Sequence, residues 1–594
     1  PFMSLEIEGG SYWTAEEELM VTNRLQQFML NSKTIWHNAL YDLQYIGYQW
    51  GYLPQLHADT MLMHHVCFPG IEKSLNFASS IFCQNYTYWK DDNKNVTSDR
   101  VHWEYNCDDV LYTIEIYHCL EKCLDHFKVR NPYEFQFSLF APILDMIFRG
   151  IKVDKGMKSA LDRVLMGQLR DRNIWFEEVL GHVFNCNSPQ QKQQLLYGDL
   201  CLPKQYNDSR ITTDDEALEA LKAKQPLLKP LLCKMQEFSS VSRFRSNFTQ
   251  ADLSNDGRAR STISLAGTKT FRFSSSKDAF GKGFNLQTIP KGAELEKVCK
   301  EILENREGWG ILEGHIIAPD GQRIRLDPEE PDATLNALEN LLGECSYRLA
   351  LPNLRKMFIP DEGHLLFDVD LKGADAQIVA AEAGDEELRG LFESGANVHR
   401  ENAKIIFNTN SISDELRQKA KIGVHGINYG LTERNLAKHL GITIKEATDF
   451  SQNWFKVHPK IKNFHDRTEL ELRTNKFVRN IYGFRIPFTD RITVKSRNEA
   501  LAWKCQSAVA VATNKGLRNI YDNLPEVQLL LQVHDSLVGQ YSQDLPRNIL
   551  DRILENMRTP IPYERPLYIG NELGISDKSW GDLKEPKEFY GEEA

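Results

Sequence analysis

The stretch His364–Asp385 (HLLFDVDLKGADAQIVAAEAGD) constrains the fold of this chain more than any other segment. An apolar run of strand type ends in two acids, Asp368 and Asp370, and Gly373 then breaks the run before an alanine-rich segment without proline. This pattern predicts a buried strand, a turn and a helix, with Asp370 at the exposed end of the strand. An acid in that position can hold a metal ion, although a lone acid after a strand is more often a solvated turn residue.

A second stretch, Leu529–Tyr541 (LLLQVHDSLVGQY), favours the metal interpretation. It is apolar on both sides of a polar His534-Asp535-Ser536 break, and this pattern predicts a hairpin with Asp535 at its tip. Two aspartates on neighbouring strand ends form the minimal cage for two divalent ions about 3.5–4 Å apart, the arrangement that drives phosphoryl transfer in polymerases.

Between these stretches, the segment Arg417–Gly430 (RQKAKIGVHGINYG) predicts a helix with one basic face. Arg417, Lys421, His425 and Tyr429 follow one another at intervals of four residues and therefore fall along one side of a helix. Two cations one turn apart suit a polyanion, and the ring of Tyr429 extends that face and can stack on a base. A solvated basic helix is the alternative, and the order of the three stretches favours the functional interpretation.

Taken in order, these stretches resemble motifs A, B and C of the family A DNA polymerases, the relatives of the bacterial repair polymerase. The resemblance covers nearly the whole chain. The matching residues are Asp370 with Asp375; Arg417, Lys421, Tyr429 and Gly430; His534-Asp535; Thr270-x-Arg272-x-Ser274-Ser275; Asn285-Leu286-Gln287-x-Ile289-Pro290; Asn397-Val398-His399-Arg400; and Tyr482-Gly483-x-Arg485. The implied fold is α/β and multidomain: an RNase H-like 3′–5′ exonuclease domain followed by a right-hand polymerase with palm, thumb and fingers.

The resemblance also implies domain boundaries. The exonuclease-like domain is 1–132 and the polymerase is 133–594, which divides into a palm base (133–185), a thumb (186–255), palm (256–385), fingers (386–515) and palm again (516–594). Within the palm, residues 292–350 are an insertion relative to the family, with 13 acids against 6 lysines and arginines. Its net charge of −7 argues against direct DNA contact. The insertion is either a surface elaboration or a docking surface for a replication partner.

The site residues follow from the same resemblance. Asp370 and Asp535 would hold two Mg²⁺ ions for attack of a primer 3′-hydroxyl on the α-phosphate of a dNTP. Arg417 and Lys421 would bind the β and γ phosphates and stabilise the charge of the transition state. The nucleotide-binding set is Asp375, His399, Arg417, Lys421, His425, Tyr429 and Gly430, and the DNA-binding set is Arg272, Asn285, Gln287, Gln506 and His534.

Three positions depart from the family pattern. Asp375 stands where the family usually has Glu, which screens the 2′ position of the sugar, so a shorter acid leaves more room for ribose. His425 stands where Phe or Tyr is usual, so the family's discrimination against dideoxynucleotides does not carry over. Ser536 replaces the Glu that often follows the motif C aspartate, which removes an auxiliary acid but no primary metal ligand.

The N-terminal region resembles a proofreading exonuclease in two motifs. Lys33–Trp36 predicts a strand, and it leads into Asn38 and Asp42 of the second motif. Tyr105 and Asp109 match the third motif and share one face of a predicted helix. The resemblance assigns these four polar residues to an exonuclease site, with Asp42 and Asp109 as ligands of Mg²⁺ or Mn²⁺.

The first exonuclease motif of the family, Asp-x-Glu, has no match. Glu6-Ile7-Glu8 is the nearest acidic pair, but it lacks the aspartate and lies too close to Asn38. The sequence therefore predicts that the chain begins inside this domain and that its proofreading site is incomplete.

Composition sets the remaining expectations. No apolar run approaches the ~20 residues of a membrane helix, and eleven cysteines without a Cys-x-x-Cys pair predict reduced thiols in a cytosolic protein. The net charge of −11 does not exclude DNA binding, because the distribution of charge matters more than its total. We expect a monomer that binds primer–template DNA and dNTPs in the bacterial cytoplasm.

The variant motifs, the compact size and the lack of a 5′-nuclease region favour a bacteriophage replicative polymerase. Two alternatives remain at this point. One is a repair or lesion-bypass polymerase, and the other is a catalytically silent scaffold that binds primer–template. The retained acids and cations argue against the scaffold, because a binding protein has no need of Asp370 and Asp535.

Overall fold

The chain divides into two compact units, each built from three separated segments. A computed structural model describes residues 6–7, 10–11, 13–91, 99–304, 306–343 and 348–591, so Glu8 of the acidic pair lies outside the described residues. Unit 1 comprises residues 1–150, 261–279 and 367–574, and unit 2 comprises residues 151–260, 280–366 and 575–594. The domain boundaries inferred from the family resemblance remain a prediction.

The strands are short, apart from those that carry the predicted acids. They are β1 Glu6–Ile7, β2 Gly10–Ser11, β3 Thr34–Trp36, β4 Leu56–Asp59, β5 Ile151–Val153, β6 Gln205–Asn207, β7 Arg210–Thr212, β8 Arg258–Ala259, β9 Ser261–Ser264, β10 Ser274–Lys277, β11 Gly310–Leu312, β12 His315–Ile317, β13 Arg323–Arg325, β14 Phe358–Ile359, β15 His364–Leu371, β16 Phe477–Arg479, β17 Arg485–Pro487, β18 Val527–Val533, β19 Ser536–Ser542 and β20 Asn571–Ser576.

Helices make up most of the remaining regular structure. They are α1 Ala15–Asn31, α2 Ala39–Trp50, α3 Thr60–Cys67, α4 Leu75–Phe82, α5 Asp99–His126, α6 Arg130–Ser138, α7 Phe140–Arg149, α8 Lys155–Leu180, α9 Pro189–Gln193, α10 Asp215–Lys224, α11 Lys229–Phe244, α12 Leu295–Leu303, α13 Pro331–Leu342, α14 Ala374–Ala383, α15 Glu386–Glu393, α16 Val398–Phe407, α17 Asp414–Asn428, α18 Glu433–Leu440, α19 Ile444–Val457, α20 Pro459–Asn475, α21 Val494–Asn523, α22 Ile549–Met557 and α23 Pro586–Tyr590.

A four-stranded sheet in the order β18-β19-β15-β20 lies at the centre of the candidate site in unit 1. Phe367 on β15 is fully buried, and a Cβ atom at Gly539 on β19 would lie 2.5 Å from its ring, so only glycine fits there. After β15 the chain turns at Gly373, whose φ is +59°, and enters α14. The predicted strand, turn and helix are confirmed.

The N-terminal segment of unit 1 pairs β3 with β4 in parallel. The strand predicted at Lys33–Trp36 is confirmed as Thr34–Trp36. The helix predicted to carry Tyr105 and Asp109 is confirmed as α5. Helices α3 and α4 pack against α5 in this part of the unit.

Unit 2 contains an antiparallel sheet in the order β14-β5-β8 and a helical group formed by α8, α9, α10 and α11. An apolar cluster that includes Phe176, Leu232 and Phe238 forms the core of the helical group. Ser188 caps α9 by accepting a hydrogen bond from Gln191 N, and Asp214 caps α10 by accepting from Ala217 N.

The acidic insertion, residues 292–350, is a folded subdomain of unit 2. It consists of α12, the antiparallel sheet β11-β12-β13 and α13, and its apolar cluster includes Val298, Ile316 and Leu338. Its two ends meet, because Ala293 and Leu351 exchange backbone hydrogen bonds of 3.0 and 2.9 Å. The structure is compatible with both roles proposed for the insertion.

A buried ion-pair network ties the insertion to the helical group of unit 2. The side chain of Arg172 on α8 is only 3% exposed. Its guanidinium lies 3.0 Å from Glu237 on α11 and 2.5 Å from Asp332 at the start of α13. Since a buried guanidinium is costly without partners, this network fixes the position of α13 against α8.

Two further properties concern the described ranges only. No helix there is both long enough and apolar enough to span a bilayer. Each cysteine in those ranges is a free thiol, in agreement with the prediction of reduced cysteines.

Candidate active site

Asp370 and Asp535 lie at neighbouring strand ends, as the sequence predicts. Val533 pairs with Ser536, so the hairpin between β18 and β19 has His534 and Asp535 as its loop. The φ of His534 is +56°, which is uncommon for a residue other than glycine and shapes this tight turn. The backbone N–H of Leu371 donates to the carbonyl of Asp535 at 3.4 Å, which joins the end of β15 to the hairpin tip.

The strand end carries concentrated negative charge. Burial, followed by the negative charges of Asp535 and Asp368, raises the pKa of Asp370 to about 6. A bound cation would offset both effects, and carboxylate oxygens are the ligands that Mg²⁺ prefers. Within the described ranges, no three His, Cys, Asp or Glu side chains converge to chelate a metal by themselves. Asp370 and Asp535 therefore fit Mg²⁺ that completes its coordination with water and phosphate oxygens.

Arg272 makes a contact that the sequence did not predict. The family resemblance assigned it to DNA, but here its Nη2 donates to Asp535 Oδ1 at 3.0 Å and to Oδ2 at 3.3 Å. Its loop is fixed by Thr268, whose hydroxyl donates to the Arg272 carbonyl at 2.7 Å. The guanidinium therefore neutralises Asp535 in part and stands where it competes with a cation.

A cleft of about 440 Å³ opens beside the strand ends. It gathers residues from β15, α14, α16, α17 and the hairpin tip. Six of the predicted site residues line it: Asp375, His399, Lys421, His425, Tyr429 and Asp535. The structure thus brings together most of the predicted nucleotide-binding set.

Helix α17 supplies the basic side of the cleft. Arg417 lies 3.4 Å from the exposed carboxylate of Asp414, whereas Lys421 forms no ion pair with a described residue. The rings of His425 and Tyr429 meet edge to face, with centroids 5.0 Å apart. The predicted helical face is confirmed for Arg417, Lys421 and His425, and Tyr429 follows directly after the last helical residue.

His399 on α16 faces these cations. Burial lowers its pKa, and the positive charges of Lys421 and Arg417 lower it further. A lowered pKa favours the neutral ring, which can form a hydrogen bond without adding charge. Its Nδ1 is buried and has no hydrogen-bond partner among the described residues.

Asp375 and Tyr429 form the buried wall of the cleft. Burial raises the pKa of Asp375, and the positive charge of Arg272 opposes that shift. Burial also raises the pKa of Tyr429 well above its usual value. Gly430 acts through packing, since a Cβ atom there would lie 2.3 Å from Asn498 Oδ1. Asn498 in turn donates to the Gly430 carbonyl at 2.7 Å.

The other predicted DNA-binding residues do not line the cleft. Gln506 is half-buried on α21, and His534 is exposed at the hairpin tip. Asn285 and Gln287 belong to unit 2, where the Asn285 side chain accepts a hydrogen bond from Gln287 N at 3.1 Å.

The exonuclease-like residues have protein partners. Lys90 Nζ lies 2.6 Å from Asp109 Oδ1 and 3.0 Å from the Tyr105 hydroxyl. Trp89 Nε1 also donates to Asp109 Oδ1, at 2.7 Å. Sequence reasoning missed both partners, because no motif marks them.

The second exonuclease motif lies at the start of α2. Asn38 has a left-handed backbone, with a φ of +69°, and burial raises the pKa of Asp42 to about 6. The nearby Asp59 accepts hydrogen bonds from Ala39 N and Leu62 N, so it holds the backbone. Among the described residues, Asp109 is thus paired with Lys90, and no group of three His, Cys, Asp or Glu side chains that could hold a metal ion forms around Asp42 and Asp109.

The known proteins that this chain resembles in sequence are DNA polymerases. Residues 158–316 and 346–582 match the family model described as DNA polymerase family A. The thermostable DNA polymerase I of Thermus filiformis is 26% identical over 451 residues, which are 74% of this chain and 46% of that protein. The DNA polymerase I of Caldicellulosiruptor bescii is 26% identical over 464 residues, 75% of this chain and 46% of the relative. The chain thus spans about half the length of these curated relatives.

A solved structure agrees in fold. It is the POL domain of Pol1 from M. smegmatis in complex with DNA primer–template and dNTP. The TM-score is 0.71 at 20% sequence identity, and the match covers 96% of this chain and 89% of that one.

Proposed function

Since this chain belongs to DNA polymerase family A, we propose that it extends a DNA primer on a DNA template by two-metal nucleotidyl transfer. The observation that carries this proposal is the pair Asp370 and Asp535 beside a cleft lined by Lys421, His399 and Tyr429. A carboxylate pair next to a cleft that contains a lysine and an aromatic ring suits a magnesium-bound triphosphate and its base.

Asp370 and Asp535 would hold the Mg²⁺ ions, which when bound activate the 3′-hydroxyl and neutralise charge on the pyrophosphate. Arg417 and Lys421 bind the β and γ phosphates as charge-assisted donors. Neutral His399 donates a hydrogen bond to the same triphosphate. Arg272 would release Asp535 in the metal-bound enzyme, and its guanidinium would then be available to the primer–template.

The ring of Tyr429 stacks beside the templating base at the end of α17. Asp375 lies in the first turn of α14 and limits the space near the sugar of the nucleotide. His534 is exposed at the hairpin tip, where it orients the primer end.

The test is extension of a labelled hairpin primer with Mg²⁺, with and without dNTPs. We expect extension by the wild type and none by Asp535→Ala, because positioning and charge neutralisation by the metal supply most of the rate. A wild type that binds the hairpin but neither extends nor trims it would instead support a silent primer–template scaffold.

The same assay addresses the exonuclease-like segment. Because Lys90 and Trp89 both contact the carboxylate of Asp109, we propose that the exonuclease-like residues do not shorten the primer. Shortening of the hairpin without dNTPs would overturn this proposal and mean that Asp42 and Asp109 do bind a metal.

We place this polymerase in the replication of a bacteriophage genome in a bacterial cytoplasm. The departures from the family pattern at Asp375, His425 and Ser536 support that setting. Repair or lesion-bypass synthesis is the rival. Extension of a long primed template under single-encounter conditions separates them, because a replicative enzyme adds many nucleotides before it dissociates.

A further inference from the structure

Asp368 is an acid of the site that the proposed function does not use. It lies on β15 two residues before Asp370, and side chains along a strand alternate between the two faces of the sheet. Both carboxylates therefore stand on the same face. Phe367 and Val369, on the opposite face, are fully buried, whereas Asp368 remains partly exposed beside the cation site.

Asp368 also reaches the hairpin. Ser536 Oγ donates to Asp368 Oδ1 at 2.6 Å, within the range of a hydroxyl bound to a carboxylate. Ser536 directly follows Asp535, and its strand β19 is the neighbour of β15 in the sheet. Asp368 is thus connected to both proposed metal ligands. It shares a strand with Asp370, and its hydrogen-bond partner Ser536 is the residue next to Asp535.

The contact between Ser536 and Asp368 matters because position 536 departs from the family pattern. Family A polymerases often carry Glu at that position, so the sequence alone indicates that an auxiliary acid is lost. The structure instead sets the carboxylate of Asp368 against the hydroxyl that takes the place of that Glu. A negative charge is therefore present beside position 536, but Asp368 on the adjacent strand β15 supplies it.

We infer that Asp368 is the auxiliary carboxylate of this polymerase site, moved from the hairpin to β15. This inference rests on the proposed function. Asp368 acts as a positioning residue: it holds the Asp535 turn through Ser536 and adds negative charge beside Asp370. Both effects strengthen binding of the divalent ions, although Asp368 does not itself touch the substrate.

Asp368→Asn separates this role from a purely structural one. The asparagine Oδ1 still accepts the hydrogen bond of Ser536, so the link between the strands is kept while the charge is lost. A matched control is Glu572→Gln. Glu572 lies on β20, the other neighbour of β15, and its side chain is 63% exposed and 3.5 Å from Lys372.

The readout is Mn²⁺ binding by electron paramagnetic resonance, on protein with a dideoxy-terminated primer–template and dNTP. For Asp368→Asn we expect binding about 10-fold weaker and a matching rise in the Mg²⁺ needed for half-maximal extension, as for other residues that support metal ligands. We expect an unchanged melting temperature. Glu572 also raises the pKa of Asp370, though less than Asp368 does, and its exposed carboxylate is paired with Lys372. Glu572→Gln should therefore stay within about twofold of the wild type, since an exposed pair contributes little.

A second pair of variants moves the acid back to the hairpin. Asp368→Ser should weaken Mn²⁺ binding, and adding Ser536→Glu to it should restore most of the affinity. The inference is overturned if Asp368→Asn binds Mn²⁺ like the wild type, if it is no weaker than Glu572→Gln, or if the double variant is no better than Asp368→Ser. Failure of the wild type to extend a primer would reject the proposed function itself, whereas normal extension with unchanged Asp368→Asn rejects only this inference.

Discussion

At the scale of single residues, the site combines acids and cations whose charges are only partly offset. Asp370 lies among other acids, Lys421 has no carboxylate partner among the described residues, and Arg272 neutralises Asp535 only in part. In the proposed function, the acids suit divalent cations and the lysine suits a phosphate group.

Proton competition at Asp370 gives the first prediction at this scale. In the proposed function Asp370 would bind a metal as the carboxylate, and its pKa is raised to about 6. Mn²⁺ affinity should therefore be full well above pH ~6 and fall as the pH drops through that value, which lies well above the pKa near 4 of an ordinary aspartate. Mn²⁺ titrations at several pH values test this. Asp370→Asn should bind weakly at every pH, and a wild-type affinity that stays flat down to about pH 5 would contradict the prediction.

Sugar selection gives a second prediction. Asp375 lines the cleft, and its side chain is one methylene shorter than the usual glutamate. Asp375→Glu should lower rNTP incorporation relative to dNTP by about 10-fold, since steric differences of this size are worth that much. Single-turnover incorporation of both nucleotides measures the ratio.

His425 gives a parallel prediction for the 3′ position. Its ring packs edge to face on Tyr429 in the same cleft. His425→Phe keeps a ring but removes both nitrogens, so the ratio of ddNTP to dNTP incorporation should change by several-fold. Asp375→Glu provides the control, because it should leave that ratio unaltered. Unchanged ratios in both variants would remove both residues from sugar selection.

At the scale of elements, local patterns predicted much of the site. The strand, turn and helix around Asp370, the hairpin at Asp535 and the helical face of α17 all follow from periodicity and turn residues, which act over a few positions. The contacts of Arg272 with Asp535 and of Ser536 with Asp368 join residues 263 and 168 positions apart. No short-range pattern encodes such contacts, so only the folded chain reveals them.

The anchor between α8 and α13 gives a prediction at the scale of elements. Arg172→Met removes the buried guanidinium and leaves Glu237 and Asp332 without their shared cation. We expect unit 2 to lose about 3–5 kcal/mol of stability in urea unfolding. Glu104→Ala breaks the exposed pair with Arg100 and should cost less than about 1 kcal/mol. Equal effects of the two variants would show that the buried network does not anchor the insertion.

At the scale of the whole molecule, charge is distributed unevenly. The chain carries −11, and the insertion accounts for −7 of it, so the remaining residues sum to −4. An acidic subdomain that carries most of the net charge suits a chain that binds DNA elsewhere, as the proposed function requires.

Removal of the insertion tests whether it is separable from catalysis. Ala293 and Leu351 form an antiparallel pair where the chain enters and leaves the insertion. Residues 294–350 can therefore be replaced by Asn-Gly, a two-residue turn that closes such a pair. We expect this variant to extend a short hairpin primer at a rate within about twofold of the wild type, because the insertion has its own apolar cluster and Arg172 keeps Glu237 as a partner when Asp332 is removed. Loss of extension with an intact fold would assign the insertion a part in catalysis.

The sheet order β18-β19-β15-β20 has a consequence for folding of the chain during its synthesis on the ribosome. Strand β15 carries Asp370, but both of its neighbours are synthesised more than 150 residues later. Until the hairpin around Asp535 has emerged, a nascent chain leaves both edges of β15 open, and one edge stays open until residue 576 has emerged. Such edges invite pairing with other chains, so a slowly translated or prematurely terminated polypeptide should need a chaperone at this strand.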